Sequence, residues 1–145
     1  MRFFPLVFII ILFSSCLNEP DCVITSSNEV KISLIQIGKD TARKVIFDSI
    51  RVTGTDSLFH VSDTVTEVKL RVDPRVTETL FTFYYESKVD SLTLAYNRKT
   101  RVISPACGAF NYFYDLHITL STFPEATVTN AELSTSTATN VKIRL

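Results

Sequence analysis

The sequence has few of the residues from which ligand, metal and nucleic-acid sites are usually built. Its 145 residues include only 3 glycines, 3 cysteines, 2 histidines and no tryptophan. Three glycines cannot form a phosphate-binding loop, and the cysteines and histidines show no zinc-ligand spacing. The 15 basic and 15 acidic residues balance, which gives no basic excess for nucleic acid. We therefore expect no cofactor, no metal and no nucleic-acid partner.

Catalytic motifs are also missing. No Gly-x-Ser-x-Gly segment occurs, and the one suggestive pair is Asp115 and His117, which share a face if they lie on a strand. A catalytic dyad would also need a nucleophile and an oxyanion site within reach. We interpret Asp115 and His117 as solvated surface residues and expect no enzyme, with a hydrolase site assembled from loops as the alternative.

Strand-forming residues are what the sequence has in abundance. Ser, Thr, Val, Ile, Phe and Tyr recur in short segments, and no long segment is rich in helix formers. The segments predicted as strands are Val30–Ile37 with a bulge at its phase change, Lys44–Val52, Leu58–Val61, Glu67–Val72, Leu80–Tyr85 and Val141–Leu145. The polar segment Ser121–Asn140 is expected to hold a weak edge strand at Ala126–Val128, with a long loop as the alternative. We expect one all-β domain over residues 22–145, an antiparallel β-sandwich (Ig-like or a flattened barrel) of about eight or nine strands.

Two further segments carry more detailed predictions. Leu92–Tyr96 and Thr100–Ile103 flank Asn97-Arg98-Lys99, a spacing that predicts a hairpin with its turn at those three residues. Leu80–Tyr85 is apolar on both faces, which is typical of a central strand. Its aromatic row is expected in the core, with an exposed binding row as the alternative; the row contains Phe81, Phe83 and Tyr85.

The longest alternation runs from Phe110 to Leu120. Period two predicts one face with Phe110, Tyr112, Tyr114, Leu116, Ile118 and Leu120. The opposite face would carry Asn111, Phe113, Asp115, His117 and Thr119. Exposed aromatic side chains often contact partner molecules, so Phe113, Asp115 and His117 are a candidate binding face. For Phe113 a place in the core is the alternative.

The N-terminus has the pattern of a secretory signal. Arg2 is the only charge before Cys16, and an apolar run of about ten residues follows it, roughly half the length of a membrane-spanning helix. Ser14, Ser15 and Cys16 close the run and resemble a bacterial lipobox. That resemblance implies a signal peptide at residues 1–15, a diacylglycerol thioether on Cys16 and a short tether at residues 16–21. The alternative is a plain secreted protein.

The other two cysteines follow from this assignment. If Cys16 is lipidated, Cys22 and Cys107 are the remaining pair, and exported chains mature where thiols tend to oxidise. We therefore predict a Cys22–Cys107 disulfide, with two unpaired thiols as the alternative.

The lipobox Cys16, the Asp21-Cys22 pair and Ser104-Pro105-Ala106-Cys107-Gly108 before an aromatic strand together resemble an uncharacterised family of small β-rich lipoproteins from Bacteroidota-type bacteria. The resemblance implies an outer-membrane location, facing either the periplasm or the cell surface, and no assigned activity. We expect a non-enzymatic binding or structural domain, with a protein or a glycan of the envelope as partner. An accessory subunit of an outer-membrane complex is the alternative.

Overall fold

The computed structural model describes residues 22–54 and 58–145, with the backbone alone from Leu58 to Ser62. The predicted signal peptide, Cys16 and the tether before Cys22 lie outside the described residues. All regular structure in the described part is β-strand, and no helix there is long and apolar enough to cross a membrane.

Nine strands form the described domain. They are β1 (Glu29–Ile35), β2 (Val45–Val52), β3 (Leu58–Val65), β4 (Glu67–Arg71), β5 (Glu78–Tyr85), β6 (Lys88–Ser104), β7 (Gly108–Ser121), β8 (Glu125–Val128) and β9 (Val141–Arg144). One sheet has the order β4-β1-β9-β8 and the other β3-β2-β5-β6-β7. The neighbours pair antiparallel except β1 and β9, which run parallel with Ile32 opposite Val141. The predicted all-β sandwich is confirmed.

The core lies between the sheets and contains the inward residues of both. Phe81, Phe83 and Tyr85 alternate with half-exposed residues along β5, which is central between β2 and β6. Phe83 packs against Phe47 at 5.6 Å and edge-on against Phe123 at 5.2 Å between ring centroids. Full burial of a side chain of this size contributes about 1.5–3 kcal/mol. The aromatic row of β5 is therefore core, as the sequence predicted.

A buried amide side chain joins a loop to the other sheet by hydrogen bonds. The Asn140 side chain accepts a hydrogen bond from the Lys31 backbone N–H at 3.0 Å. Its amino group donates to the carbonyl oxygens of Asn130 and Glu132, at 3.1 and 2.9 Å. Asn140 therefore closes the long polar loop between β8 and β9 against the middle of β1.

The hairpin predicted between Leu92–Tyr96 and Thr100–Ile103 is wrong. β6 continues unbroken through Asn97-Arg98-Lys99, which pair with Tyr114, Phe113 and Tyr112 of β7. The chain turns instead at Glu86 and Ser87, which have φ angles of 47° and 59°, and again at residues 105–107 before Gly108 at 73°. The polar residues at 97–101 have the composition of a turn because this part of β6 is exposed on both faces.

The uninterrupted alternation predicted for Phe110–Leu120 is also wrong. Asp115 has a left-handed φ of 58°, and the register shifts between Ala95 opposite His117 and Asn97 opposite Tyr114. This bulge adds one residue to β7 and reverses its phase. Phe113 is buried before the bulge and Leu116 after it.

The bulge predicted within Val30–Ile37 is wrong as well. The pairing of β1 with β4 and with β9 has no register shift, and β1 ends at Ile35. The phase change instead marks the exit into the turn at Gly38, whose φ is 74°.

Candidate functional site: the β6–β7 arm and the cleft beside it

The end of the β6–β7 pair extends past the rest of its sheet. The pairing of β5 with β6 ends at Glu78 opposite Ala95, and beyond that point β6 pairs with β7 alone among the described strands. We call the segments Asn97–Ser104 and Gly108–Tyr114 the arm. Asn97–Ile103 is exposed throughout. The β6 strand of the arm is therefore exposed on both faces, while Phe113 of its β7 strand stays in the core.

The N-terminal end of the described chain is fastened to the tip of this arm. The sulfur atoms of Cys22 and Cys107 lie 2.00 Å apart, at disulfide distance, with 5.6 Å between their Cα atoms. Cys107 lies in the turn that joins β6 to β7, where its backbone N–H donates to Ser104 Oγ at 3.0 Å. The predicted cysteine pair is thus present, and it defines where the chain from Cys16 meets the domain.

The arm has one sign of charge. Arg98, Lys99 and Arg101 lie on it, and no carboxylate occurs from Asn97 to Tyr114. Lys99 and Arg101 share a face because their partners in β7, Tyr112 and Phe110, are also two residues apart. Arg98 lies on the other face, where its guanidinium donates to the Pro74 carbonyl oxygen.

The sequence pattern did not indicate a cationic strand, because Arg98 and Lys99 have the composition of a turn. The available signal was the stronger turn at Pro105 and Gly108, which leaves residues 88–104 free of glycine and proline. A strand that continues to that turn has to carry all three cations outside the core.

A cleft of about 360 Å³ opens between the arm and the first described residues. Its volume falls within the range of small-ligand sites. Apolar and neutral polar side chains line it, among them Pro74, Phe110, Phe113, Ser26, Asn28 and Asn111. Ser26 Oγ donates to the Asn111 carbonyl oxygen across the cleft floor. No charged residue lines this cleft, so the site suits an uncharged ligand.

The predicted binding face is divided by the structure. Phe113 is only 4% exposed and packs edge-on against Tyr96, with 5.8 Å between ring centroids. Asp115 and His117 are exposed, and the carboxylate of Asp115 accepts from Asn97 Nδ2 at 2.9 Å. His117 Nδ1 lies 2.8 Å from the Asp115 backbone carbonyl rather than reaching its carboxylate. The two side chains are therefore not arranged as an acid–base dyad.

A hydrogen-bonded cluster supports the base of the arm. The Tyr96 hydroxyl donates to the Asp73 carbonyl oxygen and lies 2.7 Å from Thr79 Oγ1. The Arg75 guanidinium donates two hydrogen bonds of 2.9 Å to the Asp73 carboxylate, and these bonds lower the pKa of that carboxyl to about 2. Burial raises the pKa of the Tyr96 hydroxyl. These groups form hydrogen bonds with one another, and the bonds fix the position of Tyr96 where β6 extends beyond β5.

Shallow clefts of about 350 and 250 Å³ lie where Arg43 and Leu145 meet. Arg43 forms two hydrogen bonds with the Glu86 carboxylate at 3.0 and 3.1 Å. The Tyr85 hydroxyl donates to Asp90 at 2.7 Å, and burial with this carboxylate raises the pKa of Tyr85. Arg43 and Asp90, which line these clefts, are therefore already bonded to groups of the chain itself.

Metal ligands do not converge in the part of the chain that the structure describes, where no group of three His, Cys, Asp or Glu side chains could hold an ion. Buried side-chain polar atoms all have hydrogen-bond partners among those residues. The features that remain for binding are the neutral cleft and the cationic arm.

Comparisons with known proteins return nothing that would name this arrangement. No protein-family model matches the chain, no curated protein matches it, and no solved structure matches its fold significantly. The resemblance to small envelope lipoproteins therefore stays a prediction based on the sequence.

Proposed function

We propose that this chain is a lipid-anchored protein of the bacterial outer membrane, whose β-sandwich is a non-enzymatic binding or structural domain. The observation that carries the proposal is the distance between Cys22 and Cys107, whose sulfurs lie within disulfide reach. With those two cysteines paired, Cys16 is the one left in the sequence, directly behind the apolar run and Ser14-Ser15. Two or three acyl chains on such a residue hold a protein stably in a bilayer.

The cleft beside the arm is the part of the domain best suited to a ligand. Phe110 and Pro74 offer apolar surface, while Asn28 and Asn111 offer amide groups. Sugars have apolar C–H faces that stack on aromatic rings and hydroxyls that bond to amides, so a neutral glycan of the envelope fits this cleft. An extended segment of an envelope protein is the competing partner.

The anchor is tested by replacing Cys16 with alanine and fractionating the cells that make the protein. We expect the wild-type chain in the membrane fraction, labelled when the cells are fed an alkyne-tagged fatty acid. Cys16→Ala should lose the label and leave the membrane, or accumulate with its signal peptide intact. The matched control is Cys107→Ser, which removes a cysteine but keeps Cys16 and should keep both label and membrane. Unchanged retention of Cys16→Ala would defeat the proposal.

The cleft is tested by mild crosslinking in the native cell, followed by purification of the protein with whatever is attached. Asn111→Trp places a large ring in the cleft and should reduce the recovery of a glycan partner. Val89→Trp puts the same ring at the far end of β6, where the side chain is exposed, and should leave recovery unchanged. Equal recovery from both variants would move the binding site away from the cleft.

A further inference from the structure

We propose that the end of the arm lies against an anionic lipid surface, to which the acyl chains on Cys16 bring it. This inference rests on the proposed anchor and adds an orientation of the domain on the membrane. The surface concerned, which we call the arm tip, consists of Lys99, Arg101, Val102 and Ile103 together with Val23 and Ile24 beside the cysteine pair.

The length of the tether restricts how far the arm tip can be from the bilayer. Six residue steps separate Cys16 from Cys22, and a fully extended chain spans at most about 3.6 Å per step, or about 22 Å in total. Because Cys22 is held to Cys107, this distance is measured from the turn between β6 and β7. β6 has 17 residues, so its other end lies about 50 Å farther along the strand. The anchor therefore brings the arm end of the sandwich, rather than the opposite end, close to the bilayer.

The charge of the arm matches a surface of anionic headgroups. Its three cations are the only charged residues from Asn97 to Tyr114, and the Asp115 carboxylate that follows is bonded to Asn97 at the start of the arm. Without Arg2 the mature chain has 14 basic against 15 acidic residues, of which Glu19 and Asp21 belong to the tether, so the domain outside the arm has 11 basic against 13 acidic residues. The arm is thus positive, while the rest of the domain is slightly negative. An anionic leaflet attracts the arm and repels the remainder of the domain.

Exposed apolar side chains accompany these cations. Val102 is 72% exposed and Ile103 40%, while Val23 and Ile24 are 71% and 49% exposed. Single exposed apolar residues are common on soluble domains. Here four of them lie at one end with basic residues, and Tyr112 and Tyr114 lie farther up the arm. Apolar, basic and tyrosine side chains in one place have the composition of surfaces that rest in a lipid interface.

The competing partner for these cations is within the chain. Glu19 and Asp21 in the tether are acidic and near the arm tip in sequence, because Cys22 joins them to it. If they neutralised Lys99 and Arg101, the arm would have no net attraction for lipid. Membrane contact therefore has to be measured at the arm itself.

The chain has no tryptophan, so one introduced ring reports from a single place. The lipidated full-length protein is purified from membranes and reconstituted into vesicles with brominated acyl chains, made of phosphatidylcholine alone or mixed with phosphatidylglycerol. Val102→Trp places the ring at the arm tip, and Val89→Trp places it at the other end of β6, where the side chain is also exposed. We expect strong quenching of the Val102→Trp signal in phosphatidylglycerol vesicles and little for Val89→Trp.

Charge variants test the attraction itself. Adding Lys99→Gln and Arg101→Gln to Val102→Trp should weaken docking by about fivefold for each cation removed, without releasing the protein from the vesicles. Lys44→Gln with Lys88→Gln removes the same charge from the opposite end and should leave the signal unchanged. High salt should weaken docking in the same way, because it screens the headgroup charge.

The outcomes separate the arm from the anchor. Protein that floats with both kinds of vesicle but shows equal quenching at Val102→Trp and Val89→Trp would overturn this inference and leave the anchor standing. Quenching that persists in full after Lys99→Gln and Arg101→Gln would also overturn it. Protein without lipid on Cys16 that floats only with phosphatidylglycerol vesicles would support the arm and defeat the proposed anchor. Protein that floats with neither would defeat both.

Discussion

Removing the Cys22–Cys107 link should destabilise the domain mainly through the unfolded chain. The two cysteines are 85 residues apart, and in the chain-entropy model a closed loop of that size contributes about 4.6 kcal/mol. Measured values for single disulfides are typically about 2–4 kcal/mol, and we expect about 3 kcal/mol here. A domain of this size has a total stability of roughly 6–18 kcal/mol, so the loss is a large share of it.

The assay is urea unfolding of the exported protein, compared with Cys22→Ser, Cys107→Ser and the double variant. With a slope of about 2 kcal/mol per molar urea, the midpoint should fall by about 1.5 M. The two single variants should lose the same free energy, and the double variant should lose no more than either. This non-additivity is the signature of one shared bond.

The position of the Cys22–Cys107 bond also predicts which backbone amides lose protection from exchange when it is removed. Cys107 lies at the end of the arm, away from the core, so the protection of core amides such as Phe83 should fall only by the global loss. Amides of the arm should exchange faster still, because the free turn can open locally. A loss below about 1 kcal/mol, or losses of the single variants that add up in the double variant, would show that no stabilising Cys22–Cys107 bond is present.

Two other predictions concern buried polar groups. Asn140→Ala leaves the Lys31 N–H and two carbonyl oxygens without their partner, so it should lower the free energy of unfolding in urea by about 2–4 kcal/mol. The exposed Asn97→Ala should lower it far less. Similar losses from the two variants would contradict the structural role of Asn140. The pKa of Asp73 is lowered from its usual 3.8 to about 2, so its contribution to stability is complete above about pH 4 and is lost as the pH falls toward 2. The stability difference between wild type and Asp73→Asn should therefore shrink across that window, and a difference that stays constant down to pH 2 would contradict the Arg75 pairing.

The elements that could be predicted from the sequence are those whose two faces meet different surroundings. β4 and β9 alternate because one face is buried and the other is not, and the sequence shows this period directly. The arm part of β6 lies outside the core, so neither face is buried at Asn97 and Lys99, and the polar residues there have the composition of a turn. The bulge at Asp115 was missed because its left-handed backbone is adopted by an aspartate, and no glycine marks the position.

The same physical reasons limit what could be predicted of the candidate site. The cysteine pairing could be predicted, because one of the three cysteines follows a lipobox-like segment and only two others remain to pair. The cleft did not, because Ser26 and Asn111 are 85 residues apart and only the fold brings them together. Phe113 was grouped with Asp115 and His117 by a period that the bulge interrupts.

The central claim is that Cys16 carries lipid while Cys22 and Cys107 are joined. The most direct measurement is mass spectrometry of the mature protein extracted from membranes and digested without reduction. We expect an N-terminal peptide that begins at an acylated Cys16, and a linked pair of peptides containing Cys22 and Cys107 that separates only on reduction. An unmodified Cys16, or Cys22 and Cys107 that both react with an alkylating agent before reduction, would contradict it.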